Sequence, residues 1–199
     1  MLAHHLFRLM IGGHLCRAPI AQARTGPPAR ILDLGTGTGS WVLDMAEDFP
    51  QAEIIGVDLS PIQPNWAPPN CRFFVDDIES DWTFPPGETF DYIHGRMLGG
   101  GIGDWDRLLR QAYRHLKPGG WLEFQEIEPC ILSDDGTHER TPKAMEWHRK
   151  LRDASRRFGK PIDAIGSIGW RMQRVGFVNV IDDVYKVCRL LLLLLLFPV

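Results

Sequence analysis

The stretch Asp33-Leu-Gly-Thr-Gly-Thr-Gly39 lies between an apolar run, Arg30 to Leu34, and a segment with helical spacing through Trp41, Val42, Met45 and Ala46. Glycines at alternate positions of a strand-to-helix turn let the backbone bend sharply and approach a ligand closely, because side chains there would collide with it. A turn of this kind belongs to a parallel α/β architecture, where a strand feeds a crossover helix and ligands settle at the carboxyl ends of the strands. The fold class predicted is α/β, a doubly wound, Rossmann-like, mostly parallel sheet.

The rest of the chain fits that class, since runs of strand length alternate with longer segments of helical period. Glu53 to Asp58, Arg72 to Val75, Phe90 to Ile93 and Trp121 to Glu126 read as the second to fifth strands. Ser60 to Asn70 is too rich in proline for a crossover helix and reads as an extended loop. Trp105 to Leu116 carries an apolar stripe closed by Lys117-Pro-Gly-Gly120. A helix from about Lys143 to Phe158, another ending before Gly176, and a last strand from Val178 to Lys186 follow.

At 199 residues and 44% hydrophobic, the chain is long enough for one substantial core. A net charge of -3 gives no broad basic field, so direct nucleic-acid binding is not expected. The four cysteines, Cys16, Cys71, Cys130 and Cys188, form no Cys-x-x-Cys pair, and adjacent His4 and His5 share no face, so no metal site is expected. The cysteines read as reduced thiols of an intracellular protein, cytoplasmic or nuclear. The run Leu190 to Leu196 is too short to span a bilayer, which needs roughly 20 apolar residues.

Three carboxylates give the glycine turn its chemistry. Asp33, just before it, would repel a pyrophosphate but attract a sulfonium or ammonium. Asp58, ending the second strand, can accept from both ribose hydroxyls. Asp77, after the third, can accept from an adenine amino group while Ile78 N–H donates to the ring. Any one of them alone could be a capping or loop residue, a reading the three together disfavour, and a nicotinamide dinucleotide would also use Asp58. Ser40, where that dinucleotide's fingerprint has Gly or Ala, counts against an NAD(P)-dependent oxidoreductase. His94 and Arg96 fall at the crevice rim, where His94 is either a base or a packed strand-end residue. Glu126 and Glu128 are further candidates for a base, and no catalytic residue is assigned.

In order, these residues resemble the LaeA-like methyltransferases of filamentous fungi, within the class I S-adenosylmethionine-dependent superfamily. The resemblance runs over roughly residues 4 to 187, through His4-His5, Ala18-Pro-Ile20, Arg30 to Gly39, Gly56 to Pro64, Val75-Asp-Asp-Ile78, Phe84-Pro-Pro86, Ile93 to Leu98 and His115 to Trp121. It implies S-adenosyl-L-methionine as cofactor, with Gly35, Gly37 and Gly39 as the glycine loop, Asp58 on the ribose and Asp77 on the adenine. It implies a methyltransferase acting on an unidentified small-molecule or protein acceptor. A link to secondary metabolism and a velvet-type protein partner belong to some members.

Two departures from the family pattern set further expectations. Residues 1–29 read as the remnant of a cofactor-covering segment, so the cover is expected to be incomplete. Residues 30–187 read as the methyltransferase domain, and 188–199 as an aberrant leucine-rich tail of the kind a shifted reading frame or unspliced intron produces. The family's final antiparallel edge strand is then expected to be missing, leaving an aggregation-prone edge. A catalytically impaired, methyltransferase-like regulatory scaffold is the alternative reading.

Overall fold

A computed structural model describes residues 2–22, 26–85, 87–129 and 133–186. Five strands, β1 (Arg30–Leu34), β2 (Glu53–Asp58), β3 (Cys71–Val75), β4 (Phe90–Arg96) and β5 (Leu116–Gln125), form one sheet in the order β3-β2-β1-β4-β5. Every pairing is parallel, with Asp33 opposite Gly56 on one side and His94 on the other. Central β1 is buried from Ile31 to Leu34, as expected of a strand covered on both faces.

One sheet face presents Leu32, Leu34, Ile55, Val57, Ile93 and Leu122. Against it pack Leu108, Leu109 and Ala112 of α3 (Trp105–His115) and Ile168 of α5 (Ile168–Val175). The opposite face presents Ile31, Ile54 and Tyr92 to Trp41, Val42, Met45 and Ala46 of α2 (Ser40–Asp48). Leu15 and Ile20 of the N-terminal segment complete that layer. The remaining helices are α1 (Leu2–Met10) and α4 (Pro142–Arg157).

Asp104 caps α3 by accepting a hydrogen bond from Arg107 N at 2.8 Å. Such a cap contributes about 1 kcal/mol. Each buried leucine on the helix contributes about 2 kcal/mol relative to exposure, so the apolar stripe dominates and the cap sets the helix start.

The bounds read from sequence hold for β1 and β2 and within a residue for β3, α3, α4 and the end of α5. Ser60 to Asn70 contains no helix. Three differences matter. β4 continues past Ile93 to Arg96, so His94 lies within the sheet. β5 starts at Leu116, where a register shift between Phe90 and Tyr92 absorbs the Lys117-Pro-Gly-Gly120 turn into the strand.

Val178 to Lys186 is not a strand. Its apolar residues, Val178, Val180, Ile181, Val184 and Tyr185, do not keep to alternate positions, Asn179 has φ 54°, and Val178, Ile181 and Val184 are exposed. Cys130 and the leucine run from Leu190 to Leu196 lie outside the described residues, as does Cys188.

Candidate functional site

The carboxyl ends of β1 and β4 open into a cavity of about 250 Å³ whose wall includes His4, Asp33, Gly37, Trp41, His94 and Arg96. A second cavity of about 270 Å³ lies at the opposite ends of the strands, where Lys117 Nζ donates to both oxygens of Asp91 at 2.9 Å. Its charged pair is mutually satisfied. The first cavity is the functional candidate.

Gly35, Gly37 and Gly39 all adopt left-handed backbone, with φ of 66°, 56° and 75°. A Cβ on Gly35 would lie 2.5 Å from Leu98 Cδ2, and one on Gly39 would lie 2.6 Å from the Phe73 ring. Packing therefore excludes side chains at both. A Cβ on Gly37 would meet nothing within 4 Å, so this glycine alone turns a bare backbone toward open space.

Asp58, at the end of β2, holds the Gly37 N–H. Its Oδ2 accepts from Gly37 N at 2.7 Å and its Oδ1 from Ser60 N at 2.9 Å. Gln63 Nε2 donates to Gly37 O at 2.7 Å and to Ser60 O at 2.8 Å. The sequence signals for Gln63 are its place in the proline-rich loop and in the block Gly56 to Pro64 of the family resemblance. Each Asp58 oxygen retains acceptor capacity for a ligand hydroxyl.

Asp76 N donates to Asp58 O at 3.1 Å, so the end of β3 lies beside the end of β2. Asp77 is partly buried and forms a local turn, its Oδ1 accepting from Glu79 N at 2.9 Å. Ile78 packs its side chain against the core below. Asp58, Asp77 and Ile78 thus continue the crevice along the carboxyl edge, beyond the walled cavity.

Asp33 and His94 are both buried in the sheet face, with Asp33 Oδ1 2.7 Å from His94 Nδ1. The carboxylate can only accept, so Nδ1 carries the hydrogen. The imidazole stacks on Trp41, with centroids 3.8 Å apart and planes 5° from parallel. His94 Nε2 is buried with no hydrogen-bond partner among the described residues.

Arg96 reaches the cavity from the end of β4. Its Nη2 donates to His4 Nδ1 at 2.9 Å, and its guanidinium lies 5.3 Å from the centroid of the Phe7 ring. Burial pulls its pKa down, opposed by the carboxylates of Asp33 and Asp44. Glu126 stands apart from this group. Its oxygens accept from Leu98 N at 2.8 Å and Gly99 N at 3.1 Å, anchoring the glycine-rich loop after β4. Burial pushes its carboxyl up to about 7, against the pull of those two N–H groups. Glu128 is exposed.

The N-terminal segment lines one side of the cavity through Ala3 and His4. His4 Nε2 bonds Asp44 Oδ2 at 2.8 Å, and Arg8 Nη1 donates to the same oxygen at 2.7 Å, fixing α1 to α2. Further along, Glu123 of β5 accepts from Arg17 N and Ala18 N at 2.8 to 3.0 Å, and from Tyr92 OH at 3.0 Å. Leu15 O accepts from Trp41 Nε1 at 2.9 Å and Gln125 Nε2 at 3.1 Å. Neither Glu123 nor Gln125 carries a sequence signal beyond lying on a predicted strand.

A profile of the methyltransferase domain family matches residues 2–181. Among relatives, methyltransferase pytC of Aspergillus terreus is 41% identical over 187 residues, covering 94% of this chain and 56% of the relative. The secondary metabolism regulator LAE1 of Cochliobolus heterostrophus is 39% identical over 186 residues, covering 92% of this chain and 60% of the relative. The chain therefore spans somewhat over half the length of these curated relatives. Among solved structures, phosphoethanolamine N-methyltransferase 2 of Haemonchus contortus, in complex with S-adenosyl-L-methionine, superposes with a TM-score of 0.52. Its identity is 23%, over 76% of this chain and 33% of that one, a likeness of fold. With the parallel order β3-β2-β1-β4-β5 and the glycine turn after β1, the profile match over nearly the whole chain is decisive: the chain belongs to the methyltransferase domain family.

Proposed function

We propose that the crevice binds S-adenosyl-L-methionine and that the domain transfers its methyl group to a small-molecule or protein acceptor. The observation that carries this reading is Gly37, whose backbone N–H and C=O are held by Asp58 and Gln63 while its Cα, bare of a side chain, faces open space. When bound, this cofactor supplies an electrophilic methyl on a sulfonium.

The residues present fit such a ligand. Asp58 has acceptor capacity for ribose hydroxyls, and Asp77 with Ile78 N–H offers one acceptor and one donor for an adenine edge. At the other end, Arg96 carries donors beyond its bond to His4, suited to a carboxylate. The Asp33 carboxylate, on the cavity wall and held by His94, supplies negative charge suited to an ammonium.

Methyl transfer in line from a sulfonium needs chiefly alignment and the exclusion of water. For an acceptor that must lose a proton, His94 is better placed than Glu126. Its Nε2 is unpartnered, whereas both Glu126 oxygens already accept backbone hydrogen bonds.

Similarity to the secondary metabolism regulator LAE1 supports a place in fungal secondary metabolism. The family resemblance adds a velvet-type protein as partner class and an intracellular setting, cytoplasmic or nuclear. No helix among the described residues is long and apolar enough to cross a membrane.

Calorimetry with S-adenosylhomocysteine tests the reading. Saturable binding is expected, weakened about tenfold or more in Asp58→Ala, with no heat from NAD. Failure of the folded protein to bind S-adenosylhomocysteine overturns it.

A further inference from the structure

His4 joins three elements at the cavity wall. It lies on α1, its Nδ1 faces Arg96 of β4 at 2.9 Å, and its Nε2 faces Asp44 of α2 at 2.8 Å. A guanidinium has no acceptor, so Nδ1 must present a lone pair to Arg96. Nε2 then carries the hydrogen and donates to Asp44. The network fits only a neutral imidazole of one tautomer.

Protonation would place an Nδ1–H against the Arg96 donors and add a second positive charge beside the guanidinium. Asp44 does not fully compensate, because Arg8 Nη1 already binds the same carboxylate oxygen at 2.7 Å. The charged groups facing His4 are therefore Asp44 on α2, Arg8 on α1 and Arg96 on β4. Burial is the largest influence on the imidazole and lowers its pKa from 6.5. The Asp44 hydrogen bond and charge oppose that shift, and the charges of Arg96 and Arg8 add to it.

We propose that His4 is a proton-sensitive positioning residue: neutral, it steadies Arg96 in the cavity and α1 above it, and on protonation it releases both. This rests on the cofactor reading above, with Arg96 facing the ligand's carboxylate. Acidification then loosens the cover and weakens ligand binding together. The neutral network is intact above the ordinary histidine range and is lost as pH falls through the lowered value.

The test pairs two readouts on the whole chain, at about pH 7.5 and about pH 5. The first is S-adenosylhomocysteine affinity by calorimetry, and the second is deuterium uptake of α1 in the ligand-free protein, corrected for intrinsic exchange. In the unaltered chain, affinity is expected to fall about tenfold on acidification, the equivalent of one unit of differential protonation, with faster uptake in α1. His4→Gln, which offers an acceptor and a donor that do not titrate, is expected to flatten both responses. His4→Ala is expected to bind weakly and exchange quickly at both pH values.

A slope that persists in His4→Gln, or an unaltered chain flat in both readouts, overturns the proposal. Absence of S-adenosylhomocysteine binding at every pH overturns the cofactor reading instead. In that case the α1 exchange response still decides whether His4 is the latch.

Discussion

Asp58 and Gln63 grip the backbone N–H and C=O of a single residue, Gly37, fixing the peptides on either side of it, so the glycine loop is shaped before a ligand arrives. Gln63→Ala leaves the Asp58 carboxylate in place but frees Gly37 O. It is expected to weaken S-adenosylhomocysteine several-fold by calorimetry, about 1 kcal/mol. Glu126 gives a prediction in pH. Burial raises its folded-state value from 4.5 to about 7, so its contribution is full below 4.5 and declines as pH rises through 7. Denaturant unfolding from about pH 5 to pH 8 is expected to show the unaltered chain losing stability relative to Glu126→Gln, by at most about 3 kcal/mol. Gly37 and Asp58 were legible in the sequence because a strand end and a glycine turn fix their chemistry locally. His4 and Glu123 were not, since they act on partners 92 and 106 residues away. His94 is legible as a crevice-rim residue but not as a buried partner of Asp33, because the apolar run that marks β4 stops at Ile93.

At the level of elements, the stretch that follows α1 depends on β5. Glu123 collects hydrogen bonds from Arg17 N, Ala18 N, Tyr92 OH and Gln125 Nε2. Glu123→Ala takes the acceptor from Arg17 N, Ala18 N and Tyr92 OH, Gln125 Nε2 keeping Leu15 O, and is expected to cost about 2 to 3 kcal/mol in denaturant unfolding. Limited proteolysis should then cut first between residues 11 and 22. Strands β1 and β2 were readable to the residue because buried runs of Ile, Leu and Val have few alternatives once a glycine turn anchors them. The start of β5 was not, because a proline and two glycines ordinarily signal a turn and here the register shift accommodates them. Val178 to Lys186 has strand-like composition, yet without a neighbour its backbone groups gain nothing from extension.

For the whole molecule, the sheet ends at β3 on one side and at β5 on the other among the described residues. β3 leaves Phe74 and Val75 exposed, and Val178, Ile181 and Val184 add apolar surface elsewhere. The expected result is concentration-dependent self-association, measurable by light scattering. A double variant, Ile181→Lys with Val184→Lys, should reduce it while changing folding stability by less than about 0.5 kcal/mol. The stretch that follows α1 is recognised largely through main-chain atoms, the carbonyl of Leu15 and the amides of Arg17 and Ala18. Main-chain groups survive almost any substitution other than proline. Evolution is thus free to rewrite exposed positions such as Arg17, altering the surface of that stretch while the strands that receive it stay the same.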